Sequence, residues 1–228
     1  MDFTGERFVP GSASGLLEAE HVQRYTFATN YAKGKSVLDI ACGAGYGSYL
    51  LLAGGATRVI GVDISAEAIQ FANDHYRSDE ITFVVHDAEQ FKNGKYDMIT
   101  SFETLEHLDK RQQFLENTRS MLNEHGILIM STPNKLITSP MKSPSEIRNT
   151  FHTYEYLEKE FVSALQKAGF TRIQKFGQHA YPWFIRNQIV SRLLRRHLHY
   201  DTLETAQVRP LINNAIPRYF VFIAGTGL

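Results

Sequence analysis

Two glutamates and two histidines are the first candidates for chemistry in this sequence. Glu103, Glu106 and His107 lie together in the segment FETLEHLD, and His152 follows in NTFHTYEY. Glu103 and Glu106 are three residues apart, so on a helical turn they would share a face, with His107 nearby. Carboxylate oxygens and imidazole nitrogens can hold Mg²⁺ or another divalent cation. Alternatively, without a metal, His107 or His152 can act as a general base, because imidazole titrates near neutral pH.

A glycine-rich turn forms a second candidate site. Gly43, Gly45 and Gly47 lie in VLDIACGAGYG (residues 37–47), directly after an apolar run. Glycines let a ligand approach the backbone closely and accept positive φ angles. Asp63 ends the next apolar run, where its carboxylate can accept hydrogen bonds from two ribose hydroxyls. The turn and the acid together predict a site for a nucleoside-containing cofactor.

The spacing of the glycines distinguishes between two cofactors. Dinucleotide-binding turns have the pattern G-x-G-x-x-G and place a pyrophosphate at a helix N-terminus. Here the pattern is G-x-G-x-G, and Asp39 lies in the strand before the turn. A carboxylate at this position would repel a pyrophosphate but can orient the turn and face an ammonium or sulfonium group, which favours S-adenosylmethionine over NAD. The alternative is a plain strand-to-helix turn in a sugar-binding or NAD domain.

An α/β framework is needed to bring these residues together. Apolar runs alternate with helical patterns, which predicts a doubly wound, seven-stranded Rossmann-like sheet. The predicted strands are residues 36–41, 58–63, 81–86, 96–102, 126–132, 171–176 and 219–224. The predicted helices are residues 17–32, 47–53, 65–76, 110–123 and 155–168, and prolines predict a surface loop over 133–149. We expect one domain over residues 1–228, with an N-terminal lid and helix over 1–34 and a helical insertion over 178–217 before the last strand.

The composition excludes several classes of protein. The 228 residues carry 24 Lys and Arg against 24 Asp and Glu, which argues against bulk electrostatic binding of nucleic acid. Cys42 is the only cysteine, so no internal disulfide can form and a reducing cytoplasm is the expected setting. The sequence has no signal-peptide pattern and no apolar run long enough to span a membrane, so we expect a soluble protein.

The motifs resemble those of the class I S-adenosylmethionine-dependent methyltransferases over nearly the whole chain. VLDIACGAGYG is similar to their first motif, GVDIS to their ribose-binding strand end, HDAEQF to their adenine-binding turn, and FETLEHL with GILIMSTPN to their fourth and fifth strands. The resemblance implies a methionine site at the glycine turn, a ribose site at the second strand and an adenine site at the third. The residues implied as cofactor contacts are Asp39, Ala41, Gly43, Gly45, Asp63, Ile64, Asp87, Ala88 and Phe102.

Arg24 is a further residue that the resemblance singles out. It matches the position where related quinone-pathway enzymes place an arginine for the methionine carboxylate, a group that guanidinium binds in a bidentate manner. His21 lies near Arg24 on the first predicted helix and is expected at the edge of the cofactor pocket.

The resemblance also bears on the acceptor. The E-x-x-E-H pattern with a later histidine is similar to that of ubiquinone-pathway O-methyltransferases and of enzymes that methylate RNA 3′ ends, which implies a metal at Glu103, Glu106, His107 and His152. The same E-H-L segment occurs in metal-free methyltransferases. TGERFVPG, EHVQRY and NTFHTYEY resemble bacterial glycan-associated methyltransferases, which implies O-methylation of a sugar hydroxyl. Open alternatives are a phenol or quinone, an amino-sugar nitrogen, an RNA ribose, and a non-catalytic module that binds S-adenosylmethionine.

Two segments outside the core motifs have several interpretations. Residues 178–218 contain six Arg and Lys against two acidic residues, and the stretch 183–200 is amphipathic. This stretch can be a lid that meets a phosphate-bearing acceptor, a peripheral contact with an anionic membrane, or a helix packed on the domain or in a homodimer interface. Residues 4–10 can fold over the cofactor or form an ordinary terminus.

Overall fold

The computed structural model describes residues 15–140, 147, 149–182, 201–212 and 214–226 of the chain. Its strands are β1 (Ser36–Ile40), β2 (Arg58–Asp63), β3 (Ile81–Val85), β4 (Tyr96–Phe102), β5 (Leu122–Pro133), β6 (Arg172–Tyr181), β7 (Arg209–Pro210) and β8 (Ile216–Gly225). Its helices are α1 (Gly15–Thr29), α2 (Tyr46–Ala53), α3 (Ala66–Tyr76), α4 (Arg111–Met121), α5 (Lys135–Thr138) and α6 (Glu158–Lys167), and a 3₁₀ turn covers Leu105–His107.

The eight strands form one mixed sheet in the order β3-β2-β1-β4-β5-β8-β6-β7. Strands β1 to β5 pair in parallel, whereas β8 is antiparallel to both β5 and β6. The chain adds β2 and β3 on one side of β1 and then β4 and β5 on the other, so the strand order reverses between β1 and β4. Ligand crevices of doubly wound folds open at the carboxyl ends of the strands at such a reversal. The predicted fold class is confirmed.

The first strand shows why this sheet is buried on both faces. Leu38 and Ile40 pack in one hydrophobic core, and Val37 packs in the other. All three are nearly inaccessible to solvent, since alternate residues of a strand point to opposite faces and helices cover both. Asp39 shares the parity of Val37, which places a carboxylate inside the core on the face that α1 and α2 cover.

The prediction for the end of the chain is partly wrong. Residues 178–181 were expected to begin an insertion but continue β6, because β8 offers a partner along its whole length, from Arg172 opposite Gly225 to Tyr181 opposite Ile216. Arg209–Pro210 adds an eighth strand at the sheet edge. Residues 201–212, the larger described part of the predicted insertion, contain no helix. The amphipathic stretch 183–200 and the possible lid at 4–10 lie outside the described residues.

Two boundaries near the crevice also differ from the prediction. Strand β5 extends through Pro133 and α5 follows it, so residues 133–138 are not loop; residues 141–146 and 148 lie outside the described part. Helix α6 begins at Glu158 rather than at 155, since the Leu157 N–H is capped by Glu160 Oε2 at 2.9 Å. Across the described ranges, no helix has the length and apolar character required to cross a bilayer.

Helix α1 packs against α2 at Gly47, where a side chain would not fit. A Cβ at Gly47 would lie 2.1 Å from Tyr25 Cζ. The Tyr25 ring fills this space and lies edge-on to Tyr46 and Phe102, with centroid separations of 5.3 and 4.9 Å. The absence of a side chain at Gly47 therefore sets how closely α1 approaches the sheet.

Gly47→Ala is expected to lower the free energy of unfolding by about 1–3 kcal/mol, because overpacking displaces the Tyr25 ring. The gain in helix propensity, up to about 1 kcal/mol, is too small to offset this cost. Chemical denaturation measures the difference. Gly15→Ala is the control, since a Cβ at Gly15 meets no described atom within 4 Å. Wild-type stability of Gly47→Ala would contradict the packing at this position.

Candidate active site

A cavity of about 320 Å³ lies at the carboxyl ends of β1, β2 and β4. Seven of the ten predicted cofactor contacts line it: Ala41, Gly43, Asp63, Ile64, Asp87, Ala88 and Phe102. Arg24, Asp39 and Gly45 are not among its lining residues. His21 lines the cavity as expected, whereas the sequence analysis missed the contributions of Tyr25, Ala44, Tyr46, Thr104 and Leu108.

The turn after β1 is shaped by left-handed backbone and by Asp63. Ala41, Gly43 and Gly45 have φ angles of 60°, 55° and 82°. Asp63 Oδ2 accepts from the Gly43 N–H at 2.9 Å, and Oδ1 accepts from the Ser65 N–H at 2.9 Å. Each carboxylate oxygen can accept a further hydrogen bond, so the two ribose hydroxyls of a nucleoside match this group. Gly45 serves packing, since a Cβ there would lie 2.5 Å from Ala72 Cβ.

Asp39 is fully buried and is not part of the cavity wall. Its carboxylate accepts hydrogen bonds from Ser48 Oγ and Thr100 Oγ1, both at 2.7 Å, and from the Tyr25 hydroxyl at 3.1 Å. Burial raises the pKa of Asp39 to about 6, although these hydroxyls oppose the shift. The prediction placed Asp39 against an ammonium or sulfonium group; in this structure its oxygens bind protein hydroxyls and join α1, α2 and β4.

Arg24 is a buried cation beside the cavity. Its Nε donates to Gln178 Oε1 at 2.8 Å, and its guanidinium lies 4.9 Å from the Tyr219 ring centroid. Its Nη2 is 3.8 Å from Glu103 Oε2, and its Nη1 has no hydrogen-bond partner among the described residues. Burial and then the charge of Arg24 lower the pKa of His21 to about 3, which keeps this imidazole neutral. Arg24 Nη1, which lacks a partner among the described residues, can donate a hydrogen bond to the carboxylate of a ligand.

Glu106, His107 and His152 form a cluster in which one possible ligand atom from each lies within 4.8 Å of the others. His107 Nδ1 is 3.0 Å from the Phe151 carbonyl oxygen, which makes Nδ1 the donor and puts the lone pair on Nε2. His152 Nδ1 is 2.9 Å from Glu155 Oε1, which selects the same tautomer, and His152 Nε2 is 2.9 Å from Asn149 Nδ2. A carboxylate behind a histidine is a usual second partner of a metal-binding imidazole.

The Glu106 carboxyl also fits a cation. It is fully buried, its Oε2 accepts from Thr132 Oγ1 at 2.9 Å, and its Oε1 has no partner within the described ranges. Burial, followed by the charge of Glu103, raises the pKa of Glu106 well above its ordinary value. A divalent ion would reverse this effect, because its charge favours the ionised carboxylate.

Glu103 is not part of this cluster, contrary to the prediction of a shared helical face. Its φ angle of 50° takes it out of the helical turn that contains Glu106. Its Oε1 accepts from Ser131 Oγ at 2.6 Å, and its Oε2 faces Arg24. The predicted four-residue metal site is therefore a three-residue cluster in this structure.

Comparison with known sequences identifies the family. Residues 32–188 match a family model described as a methyltransferase domain. A probable S-adenosylmethionine-dependent methyltransferase of Mycolicibacterium smegmatis is 30% identical over 171 residues, which are 75% of this chain and 65% of that relative. The ubiquinone biosynthesis O-methyltransferase of Paraburkholderia phytofirmans is 26% identical over 200 residues, which are 86% of this chain and 75% of that protein. The chain thus spans 65% of the length of the mycobacterial relative.

Solved structures share the fold at low sequence identity. A magnesium protoporphyrin IX methyltransferase from Synechocystis PCC 6803 with bound S-adenosylmethionine has a TM-score of 0.61 and 18% identity, covering 96% of this chain and 87% of that one. A possible histamine N-methyltransferase from Thermotoga maritima has a TM-score of 0.65 and 14% identity, covering 92% and 90%.

The strand order, the turn after β1 and the cavity define an α/β domain that binds a nucleoside cofactor. The chain belongs to the methyltransferase domain family, within the class I S-adenosylmethionine-dependent superfamily. S-adenosylmethionine is the cofactor of this family.

Asp39→Asn is expected to change how stability depends on pH. The Asp39 pKa of about 6 exceeds the ordinary value of about 3.9, so the native state holds this proton more tightly than the unfolded chain. The Asp39 contribution therefore falls as pH rises from about 4 to about 6, by about 3 kcal/mol. Urea denaturation at several pH values measures this as a changing difference between wild type and Asp39→Asn. Exposed Asp79→Asn is the control, and parallel curves for wild type and Asp39→Asn would contradict the shift.

Proposed function

We propose that the protein transfers the methyl group of S-adenosylmethionine to a hydroxyl of a sugar or glycan, leaving S-adenosylhomocysteine. The observation that carries this proposal is the position of His107, which lines the cofactor cavity and also belongs to the cluster with Glu106 and His152. An acceptor hydroxyl placed between cavity and cluster would lie near both the methyl group and a proton acceptor.

The protein residues have separate tasks in this reaction. S-adenosylmethionine supplies the methyl group and a neutral thioether leaving group when the carbon–sulfur bond breaks. Asp63 would hold the ribose hydroxyls, and Arg24 the methionine carboxylate. Nε2 of His107 is placed to accept the acceptor's proton, since Nδ1 of that ring contacts the Phe151 carbonyl. His152 could take this role only by giving up the contact between its Nε2 and the Asn149 amide. Mg²⁺ at the cluster would bind adjacent acceptor oxygens and lower the hydroxyl pKa.

Sequence similarity gives different support to different acceptors. The segments TGERFVPG, EHVQRY and NTFHTYEY support a glycan hydroxyl, and the six Arg and Lys of residues 178–218 support a phosphate-bearing form of it. The similarity to a ubiquinone biosynthesis O-methyltransferase favours a phenol or quinone as the second candidate. Neither acceptor requires nucleic acid or a membrane-spanning segment.

Transfer of a radiolabelled methyl group tests the function directly. The full chain would be incubated with labelled S-adenosylmethionine and, separately, with nucleotide sugars, lipid-linked glycans, small phenols and RNA. We expect label in a sugar-containing fraction. Label in the phenol fraction alone would show that the acceptor is a phenol and not a sugar hydroxyl. Tight S-adenosylmethionine binding without transfer to any fraction would contradict catalysis and support a binding module.

The cluster predicts that the activity depends on a divalent cation. EDTA is expected to abolish transfer and added Mg²⁺ to restore it. Glu106→Gln is expected to lower the rate at least about tenfold, because a charged oxygen is lost from the site. Glu116→Gln on the exposed face of α4 is the matched control. Full activity in EDTA would exclude the metal and leave a histidine as the general base.

A further inference from the structure

Strand β6 directs two consecutive side chains at α1. Neighbouring residues of a strand normally point to opposite faces. Here Gln178 Nε2 donates to the Glu20 carbonyl oxygen at 3.0 Å, and His179 Nε2 lies 2.9 Å from Glu20 Oε1. His179 has a φ angle of 50°, and its N–H donates to the Thr205 carbonyl at 2.8 Å. Left-handed backbone at a residue other than glycine is uncommon and clusters at functional sites.

The amide of Gln178 has only one satisfactory orientation. The residue is fully buried, and both of its side-chain N–H groups are used, one by the Glu20 carbonyl and the other by the Ala206 carbonyl. Backbone carbonyls only accept hydrogen bonds, so the NH₂ group must face them. The amide oxygen is thereby turned towards Arg24 and accepts from its Nε at 2.8 Å.

This contact determines which donors of Arg24 remain for a ligand. The guanidinium is planar, its Nε is bound by Gln178, and the Tyr219 ring lies 4.9 Å away. Its Nη1 has no partner in the described part of the chain, and its Nη2 is 3.8 Å from Glu103 Oε2 at the cavity wall. Two parallel N–H groups match the two oxygens of a carboxylate. The Gln178 amide is neutral, so it orients this fork without adding a negative charge of its own.

We propose that Gln178 is a positioning residue that presents the Nη1 and Nη2 fork of Arg24 to the carboxylate of S-adenosylmethionine. The proposal rests on the role of Arg24 in the proposed function. Gln178 does not touch the cofactor; it acts through Arg24, and its substitution therefore affects recognition of one chemical group.

Decarboxylated S-adenosylmethionine provides the test, because it differs from S-adenosylmethionine only in the missing carboxylate. Isothermal titration calorimetry of the full chain, without acceptor, gives Kd for both ligands. Wild type is expected to prefer S-adenosylmethionine. Gln178→Met should reduce this preference about tenfold, by weakening S-adenosylmethionine alone. Gln207→Met makes the same substitution at an exposed glutamine of the segment that Gln178 contacts, and it should keep the wild-type preference.

Equal weakening of both ligands by Gln178→Met would overturn the proposal, because it would show a purely structural role. Arg24→Met tests whether Arg24 binds the carboxylate, independently of the role of Gln178. If this variant keeps the wild-type preference, the Arg24 assignment fails and the Gln178 proposal fails with it. If Arg24→Met loses the preference and Gln178→Met keeps it, only the Gln178 proposal fails.

A measurement on the wild-type protein remains decisive if a variant does not fold. The Arg24 Nε–H resonance in ¹⁵N NMR should be protected from solvent exchange both with and without S-adenosylmethionine. Loss of this protection when the ligand binds would show that Gln178 releases Arg24, which contradicts the proposal.

Discussion

The buried carboxylate of Asp39 is the constraint on which the cofactor side of the molecule depends. An ionised carboxylate inside a core is costly unless hydrogen-bond donors surround it, and here the donors come from α1, α2 and β4. The three elements are therefore fixed relative to the end of β1. Tyr25 reaches this carboxylate only because Gly47 leaves room for its ring. The position of α1, and with it that of Arg24 and His21, follows from this contact.

The cluster of Glu106, His107 and His152 is held by different contacts. The Glu106 carbonyl accepts from the Thr153 N–H at 2.7 Å and from the Tyr154 N–H at 3.1 Å, which ties the segment that carries His152 to the 3₁₀ turn that carries His107. The cavity thus belongs mainly to the sheet and α1, whereas the cluster of Glu106, His107 and His152 belongs to two connecting segments. In folds of this kind the sheet commonly holds the cofactor and the connecting loops select the acceptor.

The site residues that could be predicted correctly from the sequence are those that depend on local patterns. Glycine spacing and the acid at the end of β2 placed Gly43 and Asp63 at the cavity, because both signals are contained in short segments. Glu103 could not be placed correctly, since its left-handed backbone is set by bonds to Ser131 on the neighbouring strand. No motif or pattern in the sequence indicated a role for Gln178. Its partner Arg24 is 154 residues away, and only the pairing of β6 with β8 brings the two together.

The separation of Arg24 from Gln178 and Tyr219 along the chain also determines when their contacts can form during translation. All the cofactor motifs recognised in the sequence lie before residue 135. Arg24, however, contacts the side-chain amide of Gln178 and the ring of Tyr219, which come later in the chain. A nascent chain that has emerged from the ribosome only through β5 contains every motif, yet its arginine lacks both partners. The contacts of Arg24 with Gln178 and Tyr219 therefore form only after β6 and β8 have been synthesised and have joined the sheet.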